Sequence, residues 1–151
     1  MSRPQKERSV FRPPLFTSFK PVGFRRLKLE QLSLNLDEFE AIRLADYLNM
    51  EHSEAAEEMG ISRSTFTRLI EKARKKFSEF IIEGKELFIE GGNIHFRGNV
   101  IRCQDCGHMF NIKIEQQFNE CPSCGSQHLV DLAGGFGHGK CCRGFHNRNR
   151  G

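Results

Sequence analysis

Four cysteines stand in two pairs of equal spacing. "CQDCGH" begins at Cys103 and "CPSCGS" begins at Cys121, so each pair reads C-x2-C and fourteen residues separate the pairs. Four thiolates in this arrangement form a closed tetrahedral zinc site to which each pair gives two ligands. The spacing therefore predicts one structural Zn²⁺ held by Cys103, Cys106, Cys121 and Cys124 in a zinc ribbon.

Other chemistries for these cysteines fit the sequence less well. A redox C-x2-C pair lacks its βαβ context here, and iron–sulfur clusters generally use other spacings. His108 and His128 are alternative ligands, although a position on the surface or beside the metal suits them better. A closed four-cysteine site has no free coordination position for a catalytic water, so we expect a structural role and not an enzyme.

The stretch "GISRSTFTRLIEKARKK", residues 60–76, carries the second candidate function. With about 100° between successive residues of a helix, its apolar residues share one arc: Phe66, Leu69, Ile70, Ala73 and Phe77. Basic and hydroxyl side chains lie opposite. Such a stripe alone is weak evidence for nucleic-acid binding, because most charged helix faces are merely solvated.

The residues before this stretch indicate a helix-turn-helix from about His52 to Glu71. Ala56 permits close helix approach, Gly60 supplies a left-handed turn, and Ile61 fills the core after it. Residues near the start of the second helix then reach base edges, and the candidates are Ser62, Arg63, Ser64, Thr67 and Arg68. Lysines further along should neutralise phosphates, namely Lys72, Lys75 and Lys76.

Charge is segregated along the chain, whose net charge is +4. Residues 1–30 hold eight Lys/Arg against two acids, and residues 31–60 hold one against eight. Double-stranded DNA would repel the acidic block, so that block should face away from it. There is no apolar signal segment and no run that could span a membrane, so we expect a cytoplasmic protein with reduced thiols.

The chain divides into a basic arm (1–32), a mainly α helix-turn-helix domain (33–92), a small β zinc ribbon (93–132) and a disordered Gly-, Arg-, His- and Cys-rich tail (133–151). We expect the phenylalanines of the arm to pack into a core. The predicted helix boundaries are a capping box at Asn35 and Glu38, caps at Ser53 and Ser62, and stops at Gly60 and Gly84. In the tail, Cys141 and Cys142 either bind metal or sense oxidation, or are incidental to an unstructured segment.

Several segments together resemble a known family: "SRPQK", "FKPVG", "LDEFEAIRLAD", "EAAEEMGISRSTFTRLIEKARKK" and "EGKELFIEGG". Over about residues 2–92 the chain is similar to small bacterial and archaeal predicted DNA-binding proteins of unassigned function, with a core like the helix-turn-helix of sigma-factor region 4. The resemblance implies a compact DNA-binding domain in a transcriptional regulator. It also places Ser62, Arg63, Ser64, Thr67 and Arg68 on recognition-helix positions.

Three functions remain in competition. The first is a sequence-specific DNA-binding regulator, and the second is an adaptor that binds RNA polymerase or another regulator through the sigma-like domain and the ribbon. The third is an enzyme, which the sequence does not favour because it contains neither a Gly-rich phosphate loop nor an H-E-x-x-H motif. A homodimer would be needed to place two recognition helices one helical turn of DNA apart.

Overall fold

The computed structural model describes residues 7–23 and 29–136, and these fall into two compact units. The first contains residues 7–9, 16–23 and 29–94, and the second contains residues 10–15 and 95–136. The predicted arm thus contributes to both units. Residues 137–151, with Cys141 and Cys142, lie outside the described residues, so the predictions for them are not addressed.

Eight short strands and four helices follow one another along the described chain. They are β1 (Arg8–Val10), β2 (Ser18–Phe19), β3 (Gln31–Leu34), α1 (Leu36–Ile42), α2 (His52–Met59), α3 (Arg63–Glu83), β4 (Glu86–Ile89), β5 (Ile94–Phe96), β6 (Gly98–Cys103), β7 (Met109–Lys113), β8 (Leu129–Asp131) and α4 (Leu132–Gly135). A π-helical turn, Arg43–Tyr47, extends α1. None of the helices in the described ranges is long and apolar enough to cross a membrane.

A three-stranded sheet in the order β2-β4-β3 accompanies the helices of the first unit. β2 runs antiparallel to β4, whereas β3 runs parallel to it, with Gln31 opposite Glu86 and Leu34 opposite Ile89. The three helices form the connection between these two parallel strands. The N-terminal domain is therefore built from helices and a small mixed sheet, and the expectation of a mainly α domain did not include that sheet. The strands escaped prediction because they are short and pair across more than fifty residues of chain.

The core of the helices is a cluster of small and aliphatic residues around one aromatic ring. Its members are Ala41, Leu44, Ala55, Ala56, Met59, Phe66, Leu69 and Ile70. The first four residues of the predicted α3 stripe are buried, but Phe77 is 41% exposed and Ile81 is 58% exposed. The periodicity correctly gave the direction of the buried face, but it contains no information on where the partner helices end.

Most predicted helix boundaries are confirmed. Glu38 Oε1 accepts the Asn35 backbone N–H at 3.0 Å, as in a capping box. Gly60 and Gly84 end α2 and α3 in the left-handed conformation. Ser53 is not an N-cap, because α2 begins at His52 with Glu51 in the capping position.

The second unit contains an antiparallel sheet in the order β7-β6-β8, so β6 is its central strand. Val100 and Ile101 of β6 are almost fully buried. The arm contributes Val10, which is fully buried, to the core. The expectation that its phenylalanines pack inside is wrong for the three described ones, each 44–56% exposed: Phe11, Phe16 and Phe19. Phe24 lies outside the described residues.

Candidate functional site

Each cysteine pair forms a tight turn, and the two turns have the same backbone hydrogen bonds. The N–H of Cys103 donates to the His108 carbonyl, and the N–H of Gly107 donates back to the Cys103 carbonyl. In the second turn, Cys121, Ser126 and Gly125 make the equivalent bonds. Gly107 and Gly125 both have positive φ, 77° and 75°. Glycine suits this conformation, which folds the chain back at the end of each C-x2-C pair.

The two turns bring all four sulfurs together. The four Sγ atoms lie within 4.8 Å of one another. Cys103 Sγ is 3.6 Å from Cys124 Sγ, and Cys106 Sγ is 3.6 Å from Cys121 Sγ. Four sulfurs placed tetrahedrally at about 2.3 Å from a zinc ion would be about 3.8 Å apart. The cluster can therefore hold a metal ion, and the predicted ligand set is brought together in full.

The protein environment gives the four thiols different proton affinities. The backbone N–H groups of Cys106 and Asp105 lower the pKa of Cys103 to about 6, in spite of the opposing effect of burial. The backbone N–H of Ser126 also favours the Cys124 thiolate, but hydrogen bonds to the neighbouring sulfurs of Cys103 and Cys106 outweigh it and raise the pKa of Cys124 to about 12. A metal ion that binds all four sulfurs must therefore displace protons.

A polar cluster that the sequence did not predict links the two turns. Asp105, inside the first C-x2-C, accepts a hydrogen bond from the Ser126 hydroxyl and lies 3.1 Å from His128 Nδ1. These contacts lower the pKa of Asp105, the Ser126 hydroxyl contributing most. His128 thus contacts Asp105 beside the four-cysteine cluster and is not one of its members. His108 stacks on the Phe110 ring. These polar residues could have been noticed in the sequence, because each stands within or just after a C-x2-C pair and polar residues beside metal ligands commonly orient them.

In the first unit, α2 and α3 are joined by a turn of three residues. Gly60 is left-handed at φ 69° and Ile61 packs partly buried against the helical core. Ser62 Oγ then accepts the N–H of Thr65 at 3.2 Å and caps α3. Ala56 is 2% exposed, as expected for a position of close helix approach.

The predicted contact residues of α3 differ in their surroundings. Arg63, Ser64, Arg68, Lys72 and Lys75 are exposed. Thr67 is half-buried and its Oγ1 lies 3.0 Å from His52 Nδ1. The ring of His52 in turn packs edge-on against Phe66. His52 of α2 therefore holds the Thr67 side chain in place.

Lys76 has a different position from the other two lysines. Its Nζ donates to the Ser33 carbonyl at 2.9 Å and to Glu38 Oε1 at 2.7 Å. The Lys76 ammonium group therefore forms an ion pair with the buried Glu38 carboxylate inside the first unit. The bidentate pair between Arg74 and Asp46 similarly joins α3 to the π-helical turn, and the Asp46 carboxylate raises the pKa of Arg74.

Comparison with known proteins assigns the chain to a family. The family model described as "Protein of unknown function DUF134" matches residues 1–97. The chain belongs to the DUF134 family. The predicted membership of a family of unassigned function is confirmed to this extent, and the name DUF134 carries no statement about DNA or zinc.

Relatives of this DUF134 protein are found in several bacteria. A UPF0251 protein of Chloroherpeton thalassium is 55% identical over 132 residues, which covers 87% of each chain. One from Moorella thermoacetica is 41% identical over 144 residues, or 95% of this chain and 94% of its own. The DUF134 match ends before the first cysteine. An alignment over 87% of the chain includes residues 103–124 whichever end it omits, so similarity to relatives extends across the cysteine segment.

Proposed function

We propose that this DUF134 protein is a sequence-specific DNA-binding protein that regulates transcription. In this proposal α2 and α3 form a helix-turn-helix, and α3 enters the major groove of double-stranded DNA. The observation that carries the proposal is the turn itself, with a left-handed Gly60, a packed Ile61 and a capping Ser62. The helix that follows exposes Arg63 and Arg68 near its start. This is the arrangement that helix-turn-helix proteins use to present the start of the recognition helix to bases.

The charges of α3 support a division of labour. Arg63 and Arg68 are exposed near its start, where an arginine can form two hydrogen bonds with a guanine. Ser62, Ser64 and Thr67 supply hydroxyls for phosphates or bases. Lys72 and Lys75 are exposed further along and would neutralise phosphates. We leave Lys76 out of this set because it is paired with Glu38.

We propose Zn²⁺ as the metal of the four-cysteine cluster, in a structural zinc ribbon. Cys103, Cys106, Cys121 and Cys124 would be its ligands, and four thiolates suit zinc in a closed tetrahedral site. When bound, the ion would contribute folding free energy to a unit whose core is small. Because such a site leaves no position for water or substrate, we propose no catalytic role for it.

Selection of bound duplexes from a random DNA pool tests the proposal. We expect enrichment of a defined sequence by the full chain at low salt, and a palindromic sequence would indicate a homodimer. Fluorescence anisotropy should then show affinity for the selected duplex well above that for a scrambled one. Failure to bind any duplex at low salt would overturn DNA binding.

An adaptor function is the second candidate, and one observation favours it. The end of α3 exposes apolar side chains, with Phe77 at 41%, Ile81 at 58% and Ile82 at 83% exposure. Exposed apolar patches commonly mark protein interfaces. Binding of the chain to RNA polymerase or another regulator without DNA, lost in Ile81→Asp but kept in Lys75→Asp, would favour the adaptor.

A further inference from the structure

The apolar stripes of the first unit continue beyond the end of its helical core. On α3, Ala73 is buried, whereas Phe77 and Ile81, one and two turns further on, are exposed. Leu44 of the π-helical turn belongs to the core, whereas Leu48, four residues later, is 43% exposed. Residues four apart on a helix lie on the same side. Two stripes that are buried in the core therefore continue into solvent.

An ion pair connects the two exposed stripes. Arg74 Nε and Nη2 donate to the two carboxylate oxygens of Asp46 at 3.2 and 2.7 Å. Leu48 stands two residues after Asp46, and Phe77 and Ile81 follow Arg74 by three and seven residues, which places them on its side of α3. The exposed apolar side chains around this ion pair form what we call the apolar face: Tyr47, Leu48, Phe77, Ile81 and Ile82.

The apolar face holds a large share of the exposed apolar side chains. Of the ten large hydrophobic side chains that are exposed in the described chain, five belong to it, and Tyr47 is 78% exposed. Large apolar patches are uncommon on monomeric soluble proteins and mark interaction sites. Tyrosine, which has an apolar ring and a polar tip, is enriched at protein interfaces. Another protein surface is therefore the partner that fits this face.

The ion pair makes the apolar face complementary to itself. The side chains of Arg74 and Asp46 are 49% and 40% exposed, so both remain accessible to a partner while they are paired. Arginine has five N–H donors, of which two bond Asp46, and each carboxylate oxygen has a second lone pair. Across a two-fold axis, a base and an acid that lie side by side meet an acid and a base. This charge pattern fits a second copy of the chain.

We propose that the apolar face is the interface of a symmetric homodimer. Leu48, Phe77 and Ile81 of each copy pack against the same residues of the other. Arg74 of each copy pairs with Asp46 of the other copy as well as with its own. The interface lies in the second half of α3, so the start of that helix stays accessible.

The dimer would also set the spacing of the proposed DNA contacts. This consequence rests on the proposed function, whereas the dimer itself does not. Ile81 follows Arg68 by thirteen residues, or about 20 Å of helix. Two copies that meet near Ile81 would place their Arg68 residues up to about 40 Å apart. That reach includes two half-sites one helical turn of DNA apart, about 34–36 Å.

Sedimentation equilibrium of the full chain without DNA measures the dimer. We expect the wild-type chain to have twice the mass of one chain at high micromolar concentration. Ile81→Asp should raise the dissociation constant of the dimer about a hundredfold or more, roughly tenfold for each of its two copies in the interface. Lys75→Asp, at an exposed position on another side of α3, is the matched control and should leave it unchanged. A wild-type chain that stays monomeric would leave this face to another protein and would overturn the proposal.

A mixture of two charge variants tests the interface itself. Arg74→Asp places two acids on the apolar face of each copy, and Asp46→Arg places two bases there, so each variant alone should be monomeric. In a one-to-one mixture the acids of one variant meet the bases of the other, and dimers should return. Both variants lose the ion pair within the chain, and mixing does not restore it, so lower stability cannot imitate this result.

The outcomes are separable from those of the DNA experiments. If the wild-type chain dimerises but the mixture stays monomeric, the dimer forms through another surface and the proposal is wrong. Circular dichroism shows whether each variant folds, and the comparison of Ile81→Asp with Lys75→Asp decides if a charge variant does not. Since DNA is absent from these measurements, failure of DNA binding cannot imitate failure of the dimer.

Discussion

Lys76 Nζ lies 2.7 Å from Glu38 Oε1, and this ion pair joins α3 to the start of α1. Only 1% of the Glu38 side chain and 20% of the Lys76 side chain are exposed. Loss of one partner from a buried pair leaves the other charge without compensation, which costs more than the pair itself contributes. The pair gives Lys76 a structural role that neighbouring lysines of the same helix do not have.

Lys76→Ala is therefore expected to lower the free energy of unfolding by about 2 kcal/mol or more, because it leaves the Glu38 carboxylate unpaired. Lys75→Ala, which removes an exposed lysine, is the matched control and should change it by no more than about 0.5 kcal/mol. Urea denaturation followed by circular dichroism measures both. Equal stabilities for the two variants would show that the Glu38–Lys76 pair is unimportant for folding.

Arg68→Ala and Lys72→Ala should affect DNA binding in different ways. Arg68→Ala is expected to cost about 1–3 kcal/mol on the selected duplex and much less on a scrambled one, because it removes a base contact. Lys72→Ala should weaken both duplexes alike and make the slope of log K against log salt shallower by about one. Anisotropy titrations across salt concentrations check both. A uniform loss in Arg68→Ala would assign that residue to phosphates.

Removal of a cysteine from the cluster should remove the metal. Elemental analysis of the purified chain is expected to give about one zinc per chain, and Cys103→Ser or Cys124→Ser should abolish it. The double variant Cys141→Ser and Cys142→Ser is the matched control and should retain zinc, since the four clustered cysteines already supply every ligand of a closed tetrahedral site. Iron, or no metal, in the wild-type chain would contradict the zinc ribbon.

Zinc affinity should fall as the pH falls. The pKa of Cys124 is raised to about 12, so its thiol is protonated at neutral pH and must lose a proton to bind metal. The pKa of Cys103 is lowered to about 6, so this sulfur is largely a thiolate above that pH. Below that pH, protons compete with the metal ion for it. Each displaced proton costs roughly tenfold in affinity per pH unit, and the dependence should steepen below about pH 6. Competition with a chromogenic chelator measures this, and a pH-independent affinity would contradict it.

The features predicted correctly from the sequence are those whose cause is local. A C-x2-C-G turn closes within six residues, so two such turns and their four sulfurs could be foreseen from spacing alone. Gly60, Ser62 and Gly84 act on the backbone within a few residues of themselves, and they end or begin helices as predicted. The DNA-reading role of α3 was also inferred from sequence, and it stays a proposal.

Only the tertiary structure decided which charges of α3 are exposed and where the chain pairs with itself. Lys72, Lys75 and Lys76 look alike in the sequence, yet Lys76 alone meets Glu38, thirty-eight residues away. The parallel pairing of β3 with β4 depends on residues that are similarly distant along the chain. Periodicity and spacing describe one segment at a time, whereas an ion pair, a sheet register or a cavity requires two segments to meet. The sequence by itself determined the two C-x2-C turns, most of the helix ends and the four cysteines that cluster, and the fold determined which charged side chains of α3 stay exposed.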